Sequence, residues 1–452
     1  MGGEWSLKTL NQLGRIVTGR TPPSSVLNAF GKGIPFVTPS DFDGRRDISV
    51  TARELTKQGL AVVERATISE GSVMVSCIGS DMGKAARATR ASITNQQINS
   101  IVVESEDDPL FVYYNLSNRK EEFRSAASGS AQPILNKSAF GNFQIKVPPL
   151  SEQRAIAHVL GSLDDKIELN RQMNRTLEQM AQALFKSWFI DFDPVVYNAI
   201  QAGNHVPERF QATAERYRQN PEVQTLPQHI LELFSDRFED SELGKIPAGW
   251  GVKPIGDSVN CVGGATPSTK KTEFWEGGTN SFLTPKDMSS LVSPVITDTS
   301  RHITDAGVEK ISSKRIPSGA VMFSSRAPIG YLGINEMPTS INQGVIAMIC
   351  DGELPNHYVL LWTMANMELI KSKAGGTTFA EISKKNFRPI NVLVPEQRVL
   401  TAFTGQVEPM YTQISENVFA NGALIDTRDT LLPKLISGEM RIPDTEKLSE
   451  GS

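Results

Sequence analysis

An internal repeat constrains this chain of 452 residues more than any other feature, because two copies of one unit are expected to share one fold. Trp5 is followed fourteen residues later by Gly-Arg-Thr-Pro, and Trp250 is followed at the same distance by Gly-Ala-Thr-Pro. Farther along, Asn95-Gln96 returns as Asn342-Gln343 at an offset of 247 residues. The sequence therefore predicts two domains that share a framework.

Each copy ends in a short hydrophobic run and a proline, after which a long helix is predicted. Glu-Gln-Arg occurs in both copies, at 152–154 and 396–398, as expected for the first turn of a helix. Apolar residues then recur at alternating intervals of four and three, from Ile156 to Trp188 and from Phe403 to Leu435. This heptad spacing, sustained over about four heptads, indicates a coiled coil.

Two asparagines interrupt the apolar spacing of each predicted helix. They are Asn170 and Asn174 in the first helix, and Asn417 and Asn421 in the second. An Asn inside a coiled coil reduces stability but fixes register and orientation. In antiparallel helices Asn170 would face Asn421 and Asn174 would face Asn417, and this is the arrangement that we expect. The alternative is that each helix packs alone on its own domain.

Within each copy, short runs rich in Val, Ile and Phe alternate with clusters of Gly, Pro, Ser and Asn, a pattern typical of a strand-rich α+β domain of about 150 residues. The predicted fold class is α+β, with two pseudo-symmetric strand-rich domains separated by two long helices that form an antiparallel coiled coil. The predicted segments are a first domain at 1–150, a first spacer helix at 151–190, an acidic central linker at 191–245, a second domain at 246–395, a second spacer helix at 396–436 and a C-terminal tail at 437–452.

Charge is distributed unevenly along the chain, although its net value is only −4. Lys and Arg number 17 against 14 Asp and Glu in 1–150, and 14 against 12 in 246–395. The linker at 191–245 carries 5 against 10, so the excess of acidic over basic residues lies outside the two domains. The net charge therefore does not argue against binding to nucleic acid.

Several protein classes are excluded or disfavoured by composition. No run of about 18 apolar residues could span a bilayer, and the N-terminus lacks the pattern of a secretory signal, so the expected compartment is the cytoplasm. Three cysteines and five histidines are too scattered for a disulfide framework or a structural zinc site. No metal site is predicted.

A loop in the first domain gathers cations among small residues, close to the Asn-Gln pair. Lys and Arg neutralise phosphate, and Arg, Asn and Gln can make paired hydrogen bonds with base edges, so these residue types suit nucleic acid. Lys137 and Lys384 each follow a Gly-Ser or Gly-Thr turn and suit phosphate contacts. The alternative for every one of these residues is a solvated surface position. The candidate DNA-binding residues are Arg20, Ser80, Lys84, Arg87, Arg90, Asn95, Gln96 and Lys137 in the first domain, and Lys270, Lys271, Arg326, Asn342, Gln343, Lys384 and Lys385 in the second.

The sequence contains none of the catalytic motifs that were sought. Gly79 to Lys84 has the spacing Gly-x-x-x-Gly-Lys and is followed by Ala85, so it lacks both the spacing and the hydroxyl group of a nucleotide-binding loop. There is no amino-methyltransferase motif, no glycine-rich cofactor loop after a strand and no serine nucleophile elbow. We expect the chain to bind rather than to catalyse.

Three stretches of the helices and linker, added to the repeated Trp and Gly-x-Thr-Pro, resemble the specificity subunit of type I restriction-modification systems. They begin at Leu184 (Leu-Phe-Lys-Ser-Trp-Phe-Ile-Asp-Phe-Asp-Pro), Asp240 (Asp-Ser-Glu-Leu-Gly-Lys-Ile-Pro-Ala-Gly-Trp) and Leu431 (Leu-Leu-Pro-Lys-Leu-Ile-Ser-Gly). The resemblance spans almost the whole chain, and it is specific in the helices and linker but weak in the recognition loops.

The resemblance implies a non-catalytic DNA-specificity subunit with two target-recognition domains, each of which reads one half of a bipartite asymmetric site in double-stranded DNA. It implies that the chain holds no cofactor and docks two methyltransferase subunits, which bring S-adenosylmethionine, and through them the restriction and translocase subunits that use ATP and Mg. A helix of about 35 residues is about 50 Å long, which would bound the distance between half-sites at roughly 15 base pairs. The alternative function is a non-DNA scaffold whose two domains bind other proteins.

An aromatic cluster at the end of the first helix is richer than a two-helix seam requires. Large apolar residues in excess of a core commonly mark an interaction surface, so we expect this cluster to face a partner subunit. The alternative is that it packs against Leu435 and Ile436 or against the linker. The candidate partner-binding residues are Phe185, Trp188, Phe189, Ile190 and Phe192.

Overall fold

A computed structural model describes residues 4–127, 134–219, 226–326, 328–375 and 380–442 of the chain. The chain divides into two compact units, a first unit of residues 1–168 with 422–452 and a second unit of residues 169–421. Both boundaries fall inside the long helices. Each unit therefore consists of one strand-rich domain and one segment from each helix.

The first unit begins with its strand-rich domain. Its strands are β1 at Ser6–Thr9, β2 at Gly14–Thr18, β3 at Phe30–Val37, β4 at Asp47–Ile48, β5 at Arg53–Leu55, β6 at Thr67–Ile68, β7 at Val73–Ser76, β8 at Ala85–Ala88, β9 at Ser92–Thr94, β10 at Ile98–Val103 and β11 at Gln144–Val147. Its short helices are α1 at Leu10–Leu13, α2 at Lys57–Ala61, α3 at Pro109–Ser117, α4 at Lys120–Ala126 and α5 at Lys137–Gly141. The first long helix, α6, is Leu150–Phe189.

Three sheets form the domain of the first unit. Five strands pair in the order β2-β10-β7-β8-β4, four in the order β5-β3-β9-β6, and β1 pairs with β11. Most neighbours are antiparallel, but β4 runs parallel to β8 and β3 runs parallel to β9. Strand β7 is buried along its whole length, since α3 covers the sheet on one side and a smaller apolar cluster fills the other.

The second unit carries the central segment and the second strand-rich domain. Its strands are β12 at Phe238–Ser241, β13 at Gly244–Pro247, β14 at Gly251–Pro254, β15 at Asn260–Gly263, β16 at Asn280–Leu283, β17 at Val295–Ile296, β18 at His302–Ile303, β19 at Val321–Ser324, β20 at Leu332–Asn335, β21 at Ser340–Ile341, β22 at Val345–Ile349 and β23 at Asn391–Val394. Its shorter helices are α7 at Asp193–Gln201, α8 at Gln211–Gln219, α9 at Gln228–Leu231, α10 at Ile255–Ser258, α11 at Pro285–Ser289, α12 at Asp305–Val308, α13 at Asn356–Ala365, α14 at Met367–Ser372 and α15 at Lys384–Phe387. The second long helix, α16, is Gln397–Ser437.

The strand order of the second domain repeats that of the first, except that the counterpart of β6 is only an isolated bridge between Ile316 and Thr339. Five strands pair as β15-β22-β19-β20-β17, three as β18-β16-β21, and β14 pairs with β23. The two parallel pairs also return, as β17 with β20 and β16 with β21. The fold class predicted from the repeat is therefore confirmed: two pseudo-symmetric strand-rich domains are accompanied by two long helices that pack together.

Polar layers join the two long helices within the second unit. The amide nitrogen of Asn170 donates to the side-chain oxygen of Asn421 at 2.9 Å, and that of Asn417 donates to Asn174 at 2.8 Å. Asn174 also donates to Ser293 at 3.3 Å. Since the lower number on α6 meets the higher number on α16 each time, the helices are antiparallel. The two Asn pairs are those that the heptad spacing predicts.

The aromatic cluster at the end of α6 lies in the core of the second unit, which corrects the prediction that it faces a partner. Phe185, Trp188, Phe189 and Phe192 are each no more than 6% exposed. Their rings pack against those of Tyr358, Phe403, Trp250 and Phe234, and Ile190 is half-buried against the same cluster. The second domain and the central segment of the chain bury this apolar surface. The central segment folds back as α7 and α8 and packs against the end of the helix.

No helix among the described residues is long and apolar enough to cross a membrane. Nor do any three His, Cys, Asp or Glu side chains within those residues lie close enough together to hold a metal ion.

Candidate nucleic-acid interface

The Gly-x-Thr-Pro motif lies at the same place in both domains, directly after the edge strand of the five-stranded sheet. Gly19 follows β2, and a Cβ atom there would lie 2.0 Å from the carbonyl oxygen of Asn95. Gly264 follows β15, and a Cβ atom there would lie 1.8 Å from the carbonyl oxygen of Ile341. Only glycine allows this close approach of two backbones, so the motif is tied to the Asn-Gln loop in each domain.

The threonine of each motif is held by the glutamine of that loop. The hydroxyl of Thr21 donates to Oε1 of Gln96 at 2.6 Å, and the hydroxyl of Thr266 donates to Oε1 of Gln343 at 2.6 Å. Both glutamines are exposed, whereas Asn95 and Asn342 are half-buried and use their side chains inside the loop, with Gln97 and Gly344. The exposed Thr-Gln pair is therefore a fixed polar platform in each domain, with free donor capacity left on the glutamine amide.

A second contact that recurs in both domains fixes the start of the loop that follows β3 and β16. Asp41 accepts hydrogen bonds from the hydroxyl and backbone nitrogen of Thr38, each at 2.7 Å, and Asp287 does the same for Thr284 at 2.6 and 2.9 Å. Burial raises the pKa of Asp287, but hydrogen bonds from Ser300 and Thr284 outweigh it and hold the pKa below its usual value. Asp287 thus stays ionised as a structural acceptor.

The cations of the first-domain loop do not stand free. Lys84 pairs with Asp81 at 2.7 Å, Arg87 with Asp47 at 2.9 Å, and Arg90 with Glu54 at 3.0 Å. The side chain of Ser80 lies outside the described residues. Each carboxylate offsets part of the charge of its cation, which reduces the gain from a phosphate contact there.

Arg87 is also the outer end of an ionic network that reaches the first long helix. Asp47 accepts from Arg87 and from Arg46, and Arg46 donates in turn to Asp165 on α6 at 2.6 Å. Burial lowers the pKa of Arg46, but Asp47 and Asp165 outweigh it and raise the pKa above its ordinary value. This network positions β4 and β8 on the helix.

Two candidate cations of the second domain lie beside carboxylates, and two others are exposed to solvent. Lys271 pairs with Glu273 at 3.3 Å, and Arg326 lies 3.6 Å from Glu381, whereas Lys270 and Lys385 are exposed. Lys384 begins α15 and its aliphatic chain lies over Gly263 on strand β15. It occupies the position that Lys137 holds in the first domain.

A basic groove in the first domain collects cations that no single stretch of sequence brings together. The groove has a volume of about 620 Å³ and lies between strand β2, the short turn at Glu64–Ala66 and the start of α5. Four exposed cations line it, and among the described residues none of them forms an ion pair. They are Arg15, Arg20, Arg65 and Lys137.

Sequence reasoning selected Arg20 and Lys137 but missed Arg15 and Arg65. Arg15 has a recognisable signal, because it is the exposed residue in an otherwise buried strand and β2 is the edge of its sheet. Arg65 has none, since it stands in a three-residue turn whose position depends on the packing of the smaller sheet.

Comparison with known proteins agrees with the duplicated fold. Residues 2–179 and 247–406, well over half of the chain, match the family model described as the type I restriction modification DNA specificity domain. The chain is 27% identical to the type I restriction enzyme HindI specificity subunit of Haemophilus influenzae, over 87% of this chain and 89% of the relative. It is 25% identical to the type I restriction enzyme MjaIX specificity subunit of Methanocaldococcus jannaschii, over 98% and 94% of the two chains.

One solved structure shares the overall architecture. The chain resembles the S subunit of the type I restriction-modification system from M. genitalium with a TM-score of 0.54 and 16% identity, over 96% of each chain. At this identity the similarity concerns the fold alone, and it matches the two domains and two long helices found here.

Proposed function

We propose, from the premise that this chain belongs to the type I restriction modification DNA specificity family, that its two domains each read one half of a bipartite asymmetric DNA site. The single observation that carries this proposal is the duplicated polar framework, in which one Gly-x-Thr-Pro motif and one exposed Thr-Gln pair recur in each domain. Two equivalent platforms with different neighbouring side chains are what two readers of different short sequences require.

The proposed mechanism separates positioning from reading. Cations bind phosphates and fix the register of each domain on the duplex, while exposed amides such as those of Gln96 and Gln343 are available to base edges. The closely packed glycines and the half-buried Asp41 and Asp287 hold the loops in place, so that little conformational entropy is lost when DNA binds.

We further propose that the chain is the non-catalytic member of a restriction-modification complex. It would dock two methyltransferase subunits, which supply S-adenosylmethionine, and through them the restriction and translocase subunits that use ATP and Mg. In this scheme the chain contributes only the recognition of the target sequence. The complex acts on double-stranded DNA in the cytoplasm.

The test is to co-express the chain with its methyltransferase subunit in a host that lacks the system and to map methylated bases genome-wide by long-read sequencing. Methyltransferase alone is the control. A methylated motif that depends on this chain and consists of two short, unlike halves with a fixed gap supports the proposal. An unmethylated genome, with a partner shown to be folded and to bind its cofactor, would contradict it and favour a protein-binding scaffold.

A further inference from the structure

We propose that the basic groove of the first domain, lined by Arg15, Arg20, Arg65 and Lys137, binds backbone phosphates of the DNA duplex beside the first half-site. The inference rests on the proposed function and adds a binding surface to it. It also assigns the main electrostatic contact to these four residues rather than to the cationic loop at 84–90.

The cations of the loop at 84–90 and those of the groove differ in their ionic partners. Lys84, Arg87 and Arg90 already have carboxylate partners at 2.7 to 3.0 Å, which offset part of their positive charge. The four groove cations are exposed and form no ion pair among the described residues. Unpaired cations gain the full benefit of releasing counterions from DNA, because nothing has to be given up.

Hydrogen bonds hold the backbone around two of the groove cations, Arg20 and Lys137. The backbone nitrogens of Gly19 and Arg20 donate to Ile98 and Thr94 at 3.0 and 2.8 Å, so Arg20 projects from a fixed point. Lys137 stands in the first turn of a helix capped by Asn136, whose side chain accepts from the nitrogen of Ala139 at 2.9 Å. Binding therefore orders only the side chains, which limits its entropic cost.

Arg20 places the groove next to the Thr-Gln pair of the first domain. Arg20 is the residue between the close-packed Gly19 and Thr21, which pairs with the exposed Gln96. A strand of DNA whose phosphates lie in the groove would thus bring its neighbouring bases toward the polar platform. One carboxylate, Glu64, also lines the groove, so its local charge is positive by three.

The chemistry of the groove identifies the ligand as a polyanion rather than a small metabolite. Four cations line one open groove of about 620 Å³, and DNA, which carries one charge per 3.4 Å of each strand, could bring several phosphates to it at once. A single bound phosphate would instead need several donors that converge on one point.

The experiment compares two double variants of the full chain with the same change in charge. The groove variant is Arg65→Gln with Lys137→Gln, and the control is Lys32→Gln with Lys146→Gln, which replaces two exposed cations of the same unit outside the groove. Binding to a fluorescent mixed-sequence 40-base-pair duplex is followed by anisotropy across a range of salt concentrations. The chain is measured alone and assembled with its methyltransferase subunits.

The groove variant is expected to lose about two units from the slope of log affinity against log salt, and roughly tenfold in affinity at low salt. The control should keep the wild-type slope, because neither of its two residues lines the groove. Replacing Arg65 by Lys and Lys137 by Arg should restore the slope, which separates loss of charge from damage to the fold.

Two outcomes would overturn the inference in different ways. If wild type binds DNA but the groove variant and the control have equal slopes, the groove is not the phosphate site and the proposed function stands. If wild type binds no DNA in either form at the lowest salt, the proposed function fails and the groove assignment fails with it.

Discussion

The first and second domains keep one framework but differ in where their positive charge lies. Both have the same strand order in the five-stranded sheet, the same close-packed glycine and the same Thr-Gln pair. The positions equivalent to the groove cations Arg15, Arg20 and Arg65, at offsets of 245, 245 and 248 residues, are however occupied by Asn260, Ala265 and Ser313 in the second domain. Only Lys137 has a cationic counterpart, Lys384.

This comparison teaches that two kinds of constraint act on the repeat. Residues that hold the loops in place are fixed by the geometry of the backbone and recur in both copies. Residues that face solvent can change with the DNA that each domain meets. The two domains should therefore respond alike when the framework is altered and differently when surface charge is altered.

The largest expected effect comes from filling the shared close contact. Gly264→Ala places a Cβ atom 1.8 Å from a backbone oxygen, and Gly19→Ala creates a similar clash in the first unit. Each should lower stability by about 3 kcal/mol, since the backbone must move. The matched controls are Gly405→Ala and Gly422→Ala on α16, which meet open space and should leave stability unchanged or raised. Thermal unfolding by calorimetry distinguishes them, and similar melting curves for Gly264→Ala and Gly405→Ala would refute the close-contact argument.

A smaller loss of stability is expected when an ion pair between the two long helices of the first unit is broken. In the first unit Arg428 on α16 donates to the buried Asp164 on α6 at 2.7 Å. Arg428→Met should cost about 2 kcal/mol, because it leaves Asp164 buried with Tyr114 as its remaining partner. Hydrogen exchange should speed up in residues 150–168 and 422–437. Arg398→Met, which removes an exposed ion pair with Glu396, is the control and should cost less than about 1 kcal/mol. Equal exchange in both variants would contradict this role of Asp164.

Acid should weaken the second unit through His357. Burial lowers the pKa of this imidazole to about 4, and its ring packs on Tyr411 at 4.6 Å. The unfolded chain binds a proton near pH 6.5, so the stability contributed by neutral His357 is complete above that pH and is lost as the pH falls toward 4. Between pH 7 and pH 5 the loss should be roughly 1–2 kcal/mol. Denaturant unfolding of wild type and His357→Phe measures it, and an equal pH dependence in the two proteins would rule out His357 as the cause.

The smallest expected effect concerns the polar platforms. Thr21→Val and Thr266→Val each remove one exposed hydrogen bond of 2.6 Å and should cost about 0.5–1 kcal/mol of stability. Thr21→Ser and Thr266→Ser keep the hydroxyl and are the controls. If the platforms serve recognition, the Val variants should also relax the methylated sequence, Thr21→Val in one half and Thr266→Val in the other. A change in the same half from both variants would contradict the assignment of one platform to each half.

Local and periodic features of the fold could be predicted from the sequence. The offset of the repeat and the heptad spacing depend only on intervals along the chain, and they led to the fold class and to the pairing of Asn170 with Asn421. The helix starts were predicted from the proline and Glu-Gln-Arg of each copy. In the structure α6 is Leu150–Phe189 and α16 is Gln397–Ser437, within one residue of the predicted 151–190 and 396–436.

Features that depend on distant parts of the chain could not be predicted. Arg87 and Arg90 looked available because their partners, Asp47 and Glu54, lie about 40 residues earlier. The aromatic cluster around Trp188 looked like an interaction surface because its partners Phe403 and Trp250 come later in the chain. The basic groove likewise exists only after folding brings Arg65 beside Lys137.

The central claim, that each domain reads its own half of the DNA site, is tested most directly by giving the chain two copies of one domain. Residues 246–395 would be replaced by residues 1–150, the long helices being kept, and the methylated motif would be mapped after co-expression with the methyltransferase. The account predicts a symmetric motif in which the half-site of the first domain occurs at both ends. A motif identical to that of the wild type would contradict it.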